Sequence, residues 1–134
     1  MSKYIALDVG EKRVGVAASD DLGLMAMPMT TYDRETSIVR IADLVMAEKP
    51  EAIVIGLPYL PSGGLGSQAV DVKIFTAELA DAISTPLIYE NEVLTSVEAK
   101  NRLKMIKKGR IEKGETDSMA ACIILESFMN RSKN

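Results

Sequence analysis

The sequence lacks several residues on which common enzyme classes depend. Its 134 residues include no His, no Trp and a single Cys, Cys122. The absence of His excludes Ser-His-Asp and Cys-His catalysis as well as His-ligated zinc. A lone Cys excludes an intrachain disulfide and any cysteine-cluster metal site. Chemistry in this chain must therefore use carboxylates, hydroxyls, lysine, tyrosine, one thiol or the backbone.

Long hydrophobic runs are missing as well. No apolar stretch approaches the roughly 20 residues that a membrane-spanning helix needs. The first ten residues, MSKYIALDVG, have neither the hydrophobic region nor the small-residue cleavage site of a signal peptide. Together with the lone Cys, this pattern predicts a cytoplasmic protein with no membrane contact. The length predicts one domain spanning residues 1–134.

Charge is distributed unevenly along the chain. The net charge is −3, which argues weakly against nucleic-acid binding when the chain is taken as a whole. Residues 100–113, however, hold seven basic residues and one acidic residue, so this segment carries +6 and the remainder −9. Such a split predicts a basic arm on an acidic body, although a solvated helix face would have the same composition.

The hydrophobic pattern predicts nine elements in the order βββαβαβαα. Strands are expected at 3–8, 14–18, 24–30, 52–57 and from 86 to 89, and helices beginning near 36, 67, 95 and 116. The first three strands are so closely spaced that they can only form an antiparallel meander, with Pro28 marking an edge strand. The later strands alternate with helices, as in parallel βαβ units. The sequence thus predicts an α/β fold with a five-stranded mixed sheet, helices on both faces, and the first and fifth strands side by side.

Three acidic residues fall near one end of this predicted sheet. Asp8 closes the first strand, Glu92 follows the fifth, and Asp117 opens the last helix. Ligands of such sheets favour the carboxyl ends of parallel strands, where a folded chain could bring these acids together. Clustered carboxylates repel one another, and Mg²⁺ or Mn²⁺ would relieve that repulsion. From spacing alone, turn chemistry at Asp8 and a helix-dipole role for Asp117 remain alternatives.

Five segments of the chain resemble the motif regions of the YqgF family. They read ALDVGEKRVGVAASD, IVIGLP, GSQAVDVKIFTAEL, ENEVLTSVEA and DSMAACIIL, and the resemblance runs from Ile5 to Leu125. The family is known as Holliday junction resolvases and as nucleases that mature the precursor of small-subunit ribosomal RNA. The resemblance implies a ribonuclease H-like fold in which Asp8, Glu92 and Asp117 are catalytic and bind one or two Mg²⁺ or Mn²⁺ ions.

The resemblance also implies an activity and partners. We expect metal-dependent hydrolysis of phosphodiester bonds, with 5′-end processing of pre-16S rRNA favoured over cleavage of branched DNA. Nucleic acid and pre-ribosomal particles are the expected partners. The helices each use one apolar stripe for the core and their other faces look polar. The chain is therefore expected to be a monomer or a weak dimer.

Two residues depart from the family pattern. The family usually has Asp and Glu in a D-E-R-L-T-like segment, and this chain has Asn91 before Glu92 and Val93 in place of the Arg. Asn91 could still bind metal through its amide oxygen, but it adds no charge. The loss of the Arg removes a cation that could hold phosphate. A catalytically weak nucleic-acid-binding module of the same fold therefore remains an alternative.

Several residues outside the acidic set could contact a nucleic-acid backbone. Lys12 and Arg13 follow Asp8 closely and would place positive charge near the site. Ser67 begins a helix and could take a phosphate with nearby backbone N–H groups. The basic segment contributes the remaining candidates, Lys100, Lys104, Lys107 and Lys108. Phosphate contacts of this kind would position the substrate without reading its sequence.

The glycine-rich loop raises one further alternative. Residues 64–69 match G-x-G-x-x-A between a strand and a helix, as in dinucleotide-binding proteins, and Glu90 could be the acidic residue that binds the ribose. The loop from strand end to helix is longer than a dinucleotide-binding turn, and the unit lies in the middle of the chain. A surface loop is therefore the preferred interpretation.

Overall fold

The computed structural model describes residues 3–60, 62, 64–92 and 95–132, and its elements follow the predicted order. The strands are β1 (Tyr4–Val9), β2 (Arg13–Ser19), β3 (Ala26–Asp33), β4 (Ala52–Pro58) and β5 (Leu87–Glu92). The helices are α1 (Arg34–Glu48), α2 (Ser67–Ala82), α3 (Thr95–Ile106) and α4 (Lys113–Ser132). The predicted α/β class with a five-stranded mixed sheet is confirmed.

The five strands lie in the order β3-β2-β1-β4-β5. β1 pairs antiparallel with β2, and β2 pairs antiparallel with β3, which is an edge strand as Pro28 predicts. β1 pairs in parallel with β4, and β4 in parallel with β5. The expectation that the first and fifth strands are neighbours is wrong, because β4 lies between them.

Local hydrogen bonds shift some predicted boundaries. The Asp20 carboxylate accepts the backbone N–H groups of Leu24 and Met25, so these residues complete a turn and β3 begins later than predicted. α1 begins at Arg34, two residues before the expected cap, and Asp33 takes the N-cap position. α4 likewise begins at Lys113 rather than near 116, so Asp117 lies within its second turn.

Two hydrophobic clusters cover the two faces of the sheet. One face packs against α3 and α4, and this cluster contains Ala6 of β1 and Val54 of β4. The other face packs against α1 and α2, and this cluster contains Ile5, Leu7 and Ile55. Alternate strand residues point to opposite faces of a sheet. Asp8 therefore lies on the same face as Ala6, and Gly56 on the same face as Val54, which is the face that packs against α4.

Large apolar side chains also remain exposed, so the expected polar outer faces of the helices are only partly found. Those on helices include Val39 and Met46 of α1, Ile74 of α2, and Met105 and Ile106 of α3. Another group surrounds the β2–β3 hairpin and β3: Leu22, Leu24, Met25, Met27 and Met29. None of the helices in the described residues has an apolar stretch long enough to cross a membrane.

Candidate active site

Asp8 lies in β1 between two strands that present glycine beside it. On one side it pairs directly with Gly15 of β2. On the other side Leu7 pairs with Ile55 of β4, and Gly56 follows next along that register. The sheet surface on either side of the Asp8 carboxyl therefore carries no side chain. This bare surface allows groups from other elements to approach Asp8.

Glu92 uses the opening at Gly56 to reach Asp8 from β5. A Cβ atom built on Gly56 would lie 2.9 Å from Glu92 Oε2, so the Glu92 carboxyl rests directly on the backbone of β4. A side-chain hydrogen bond joins the Asp8 and Glu92 carboxyls. The two acids therefore meet although their strands are not neighbours.

Asp117 uses the opening at Gly15. A Cβ atom on Gly15 would lie 2.0 Å from the Asp117 carbonyl oxygen, which no side chain could tolerate. The Thr31 hydroxyl of β3 donates to the Gly114 carbonyl at 2.6 Å and fixes the same end of α4 on the sheet. The helix thus brings Asp117 onto the sheet directly beside the pairing position of Asp8.

The electrostatic environment of Asp8 is unusual for a surface acid. Burial, the charge of Glu92 with its hydrogen bond, and the charge of Asp117 raise the pKa of Asp8 well above its usual range, in that order of size. No cation is hydrogen-bonded to Asp8 in the described residues.

Asp117 differs from Asp8 because it has a cationic partner. Arg13 Nε donates to Asp117 Oδ2 at 2.8 Å, and both side chains are partly exposed. Arg13 was predicted to contact nucleic acid, and the structure places it against this acid instead. Across the described ranges, no three acidic or Cys side chains are gathered closely enough to hold one ion as they stand.

The donor set nevertheless fits a hard divalent cation. Asp8 and Glu92 supply carboxylate oxygens that lie close together, and burial, followed by the negative charge of Glu92, raises the pKa of Asp8. Carboxylate oxygens are the ligands that Mg²⁺ and Mn²⁺ prefer. Asp8 and Glu92 are the residues that would hold such a cation, and its charge would offset the repulsion between acids at this place.

Asn91 does not join these acids. It pairs with Leu57 of β4, which belongs to the cluster under α1 and α2, and it is exposed. Alternation along β5 therefore directs Asn91 to the opposite face from Glu92. Its predicted contribution to a shared metal site has no support in this geometry. Val93, the other departure from the family pattern, lies outside the described residues.

The candidate phosphate-binding residues fall into two groups. Lys12, Lys100, Lys104 and Lys108 are exposed, whereas Lys107 forms an ion pair with Glu115 of α4. Ser67 is exposed at the start of α2 and lines an open cleft of about 640 Å³ with Gly10 and Arg34. Val9, the residue directly after Asp8, also lines this cleft, which lies on the face of the sheet that carries α2.

The structure assigns Glu90 a role that the sequence did not indicate. This buried residue of β5 accepts a hydrogen bond from the Ser127 hydroxyl at 2.8 Å and is ion-paired with Arg131. Both partners lie on α4, so Glu90 ties that helix to the edge of the sheet. A ribose-binding role for Glu90 would require breaking these contacts. The dinucleotide-binding alternative therefore lacks the acidic residue that it needs to bind the ribose.

Gly15 and Gly56 are the site residues that sequence reasoning missed. Each interrupts an otherwise apolar, β-branched strand, and a glycine in such a strand often marks a close approach by another chain segment. That signal was present in VGVAA and in AIVIGL. It could not reveal which segment approaches, because the partners are distant in sequence.

Known proteins match this chain over nearly its whole length. The family model described as "Holliday junction resolvase", RuvX, matches residues 2–131. The "Putative pre-16S rRNA nuclease" of Picosynechococcus sp. is 43% identical over 129 residues, which cover 93% of this chain and 90% of that protein. The protein of the same name from Synechocystis sp. is 42% identical over 137 residues, covering 97% and 90%.

Solved structures show the same fold. RuvC of Thermus thermophilus, in complex with a Holliday junction substrate, matches with a TM-score of 0.63 and 12% identity over 100% of this chain and 98% of that chain. The fowlpox virus Holliday junction resolvase matches with a TM-score of 0.55 and 10% identity, covering 96% and 99%. These likenesses establish the ribonuclease H-like fold of the RuvC type. By its family match and its relatives, the chain belongs to the RuvX Holliday junction resolvase family, a family of nucleases that hydrolyse phosphodiester bonds.

Proposed function

We propose that this chain is a divalent-metal-dependent nuclease that acts on single-stranded RNA in 5′-end processing of pre-16S rRNA. The observation that supports the proposal is that Glu92 meets Asp8 over Gly56, while the backbone of Asp117 rests on Gly15, the residue paired with Asp8. The relatives named for pre-16S rRNA cleavage share about two fifths of their residues with this chain and match it over nearly its whole length.

Asp8 and Glu92 would hold the metal, and Asp117 would complete the site. When bound, Mg²⁺ or Mn²⁺ supplies an activated water and neutralises charge on the leaving oxygen. Asp8 lies on the central strand of the sheet, where pairing of β1 with β2 and β4 fixes its backbone. Rigid placement of this kind favours catalysis because the ligands need not be ordered during the reaction.

Arg13 would have a second role in this cycle. In the structure it is bound to Asp117, at a distance of 2.8 Å. Once Asp117 turns to a cation, the guanidinium becomes available to a phosphate oxygen of the substrate, which it can bind through two N–H groups. This exchange would reconcile the predicted nucleic-acid role of Arg13 with its observed partner.

Cleavage of a four-way DNA junction is the second candidate, and the name of the family model favours it. A junction resolvase must cut two symmetric strands and therefore works best as a dimer with paired sites. RNA processing needs one site on one accessible strand. The two candidates thus differ in substrate and in the oligomeric state that they require.

The test is a cleavage panel with purified protein. A 5′-extended 16S leader RNA and a four-way DNA junction are incubated with Mg²⁺, Mn²⁺ or EDTA, alongside the Asp8→Asn and Asp117→Asn variants. We expect the RNA to be cut only with metal and only by the unsubstituted chain, and sedimentation to show a monomer or weak dimer. Symmetric cutting of the junction by a tight dimer, with the RNA intact, would establish the resolvase function instead. Cleavage that persists in EDTA would refute the metal site.

A further inference from the structure

The end of α3 exposes two consecutive large apolar side chains. The exposed fraction is 86% for Met105 and 70% for Ile106. They are the last two residues of α3 and lie within the basic segment, between Lys104 and Lys107. Scattered apolar side chains are common on protein surfaces, but adjacent ones this exposed within a charged segment are characteristic of a contact surface. We call Met105, Ile106 and the flanking Lys104 and Lys108 the α3 tip.

The α3 tip lies beside the beginning of α4, the helix that carries Asp117. Lys107, which follows Ile106, forms an ion pair with Glu115 of α4. Glu115 precedes Asp117 by two residues in that helix. Ala99 and Leu103 of α3 belong to the same buried cluster as α4, and Arg102 forms an ion pair with Glu126 further along α4 at 2.8 Å. The end of α3 is thus fixed next to the beginning of α4, where Asp117 approaches Asp8.

The charge of the α3 tip is available to a ligand. Among the described residues, Arg102 and Lys107 are occupied by acids of α4, whereas Lys104 and Lys108 are exposed and have no ion pair. Lys100 lies one helical turn before Lys104 and is exposed as well. The tip therefore combines unneutralised positive charge with bare apolar surface, a combination that complements a nucleic-acid strand.

We propose that the α3 tip recognises an unpaired stretch of the nucleic-acid substrate, with Met105 and Ile106 packed against unstacked bases and Lys104 and Lys108 bound to phosphates. Lysine alone would bind single and double strands alike, because both carry phosphates. Apolar contact requires an exposed base face, which a duplex hides within its stack. The apolar pair thus selects single-stranded segments beside the active site. This inference rests on the proposed nuclease function and specifies the form of its substrate.

The test measures binding separately from cleavage. In an Asp8→Asn background in EDTA, fluorescence anisotropy follows a labelled single-stranded RNA and a duplex RNA of equal length. The test variant is Met105→Ser with Ile106→Ser, which keeps every charge. The control is Val39→Ser with Met46→Ser, since these α1 side chains are 67% and 76% exposed and lie on the other face of the sheet. Thermal melting verifies that both variants fold.

We expect the tip variant to bind single-stranded RNA about fivefold or more weakly and duplex RNA within about twofold of the parent. The salt dependence should keep its slope, because no phosphate contact is removed. The control variant should bind both RNAs like the parent. Because binding is read without metal, a failure of the cleavage panel would not alter this result.

Three outcomes would overturn the inference. Equal weakening on both RNAs would show that the tip does not sense base pairing, and unchanged binding would show that it does not contact nucleic acid. A parent that sediments as a dimer and a tip variant that sediments as a monomer would assign the tip to contact with a second copy of the chain.

Discussion

Two acidic residues of β5, Glu90 and Glu92, point to the same face of the sheet and have opposite surroundings. Glu90 is buried and bound by Ser127 and Arg131, so its charge is compensated by α4. Glu92 instead meets Asp8, a second acid whose pKa is raised by burial and by Glu92 itself. The comparison separates an acid whose charge is compensated by α4 from an acid that lies against a second acid, the kind of environment found at functional sites.

The largest effect should appear in activity. Glu92→Gln should reduce cleavage to background, at least about a thousandfold, because a metal ligand at the reacting phosphate is lost. Glu90→Gln, two residues away, should stay within about tenfold of the parent, a loss typical of an indirect supporting contact. Initial cleavage rates at saturating Mg²⁺ measure both. Comparable losses in the two variants would erase the distinction between these acids.

Gly56→Ala tests the path by which Glu92 reaches Asp8. The added Cβ would lie 2.9 Å from Glu92 Oε2 and 2.5 Å from Ile124 Cδ1. We expect cleavage to fall by about 10- to 100-fold and the free energy of unfolding by about 1–3 kcal/mol.

A double variant separates the two effects of Gly56→Ala. Ile124→Val removes Cδ1, so Gly56→Ala with Ile124→Val should recover stability without recovering activity. Urea unfolding and cleavage rates report the two quantities. Recovery of activity together with stability would mean that the Glu92 contact at Gly56 is unimportant.

The order of the two glutamate variants should be reversed for the free energy of unfolding, which Glu90→Gln should lower more than Glu92→Gln. Glu90→Gln weakens charge-assisted hydrogen bonds and should cost about 1–2 kcal/mol, with the cost limited because the Arg131 side chain is largely exposed and regains water. Glu92→Gln removes repulsion and should leave the metal-free protein as stable or more stable. Thermal melting in EDTA checks both. A destabilised Glu92→Gln protein would place Glu92 among the residues that support the fold.

The pH dependence of the free energy of unfolding tests the environment of Asp8, and its expected effect is smaller. The pKa of Asp8 is raised on folding, so the folded chain binds more protons than the unfolded chain once the pH exceeds the unfolded value of about 4. The contribution of Asp8 to stability is therefore present at low pH and is lost as pH rises through the folded pKa.

Asp8→Asn removes this linkage. The melting temperature of the Asp8→Asn variant minus that of the parent should increase with pH in EDTA and then level off. Added Mg²⁺ should reduce the difference by stabilising only the parent. A difference that is constant across pH would contradict the raised pKa.

Asn91→Asp should have the smallest effect. If Asn91 were a metal ligand, the new carboxylate would lower the Mg²⁺ concentration needed for cleavage. Because Asn91 is exposed on the opposite face of β5, we expect the half-saturating Mg²⁺ concentration to stay within about twofold of the parent. A clear shift in the Mg²⁺ titration would show that Asn91 turns toward the acids.

Much of the fold was predictable from local patterns. The change from closely spaced strands to alternating strands and helices indicated a mixed sheet, and Pro28 indicated its edge. The strand order was not predictable in the same way, because pairing of β1 with β4 is a long-range contact without a local signature. The mistaken pairing of the first and fifth strands follows from that difference.

The contacts that support the candidate site were not predictable from the sequence. The resemblance predicts Asp8, Glu92 and Asp117 as the acids of the site; the structure joins Asp8 to Glu92 and pairs Asp117 with Arg13, and the shared metal site stays a prediction. Arg13 was assigned to phosphate because nothing in its neighbourhood in the sequence reveals Asp117, more than a hundred residues later. The position of Asn91 beside Glu92 predicts a metal ligand. Successive residues of a strand point to opposite faces of the sheet, so the side chains of Asn91 and Glu92 lie on opposite faces.

The two anchors of α4 have a mechanical consequence. Near its beginning the helix backbone rests on Gly15, and about 15 Å further along, at 1.5 Å per residue, Ser127 is bound to Glu90. The helix α4 can therefore neither move along the sheet nor rotate on it without breaking one of these two contacts. The position of Asp117 relative to β1 therefore depends on the number of residues between these two contacts. A one-residue insertion between them would rotate Asp117 or Ser127 by about 100° away from its partner.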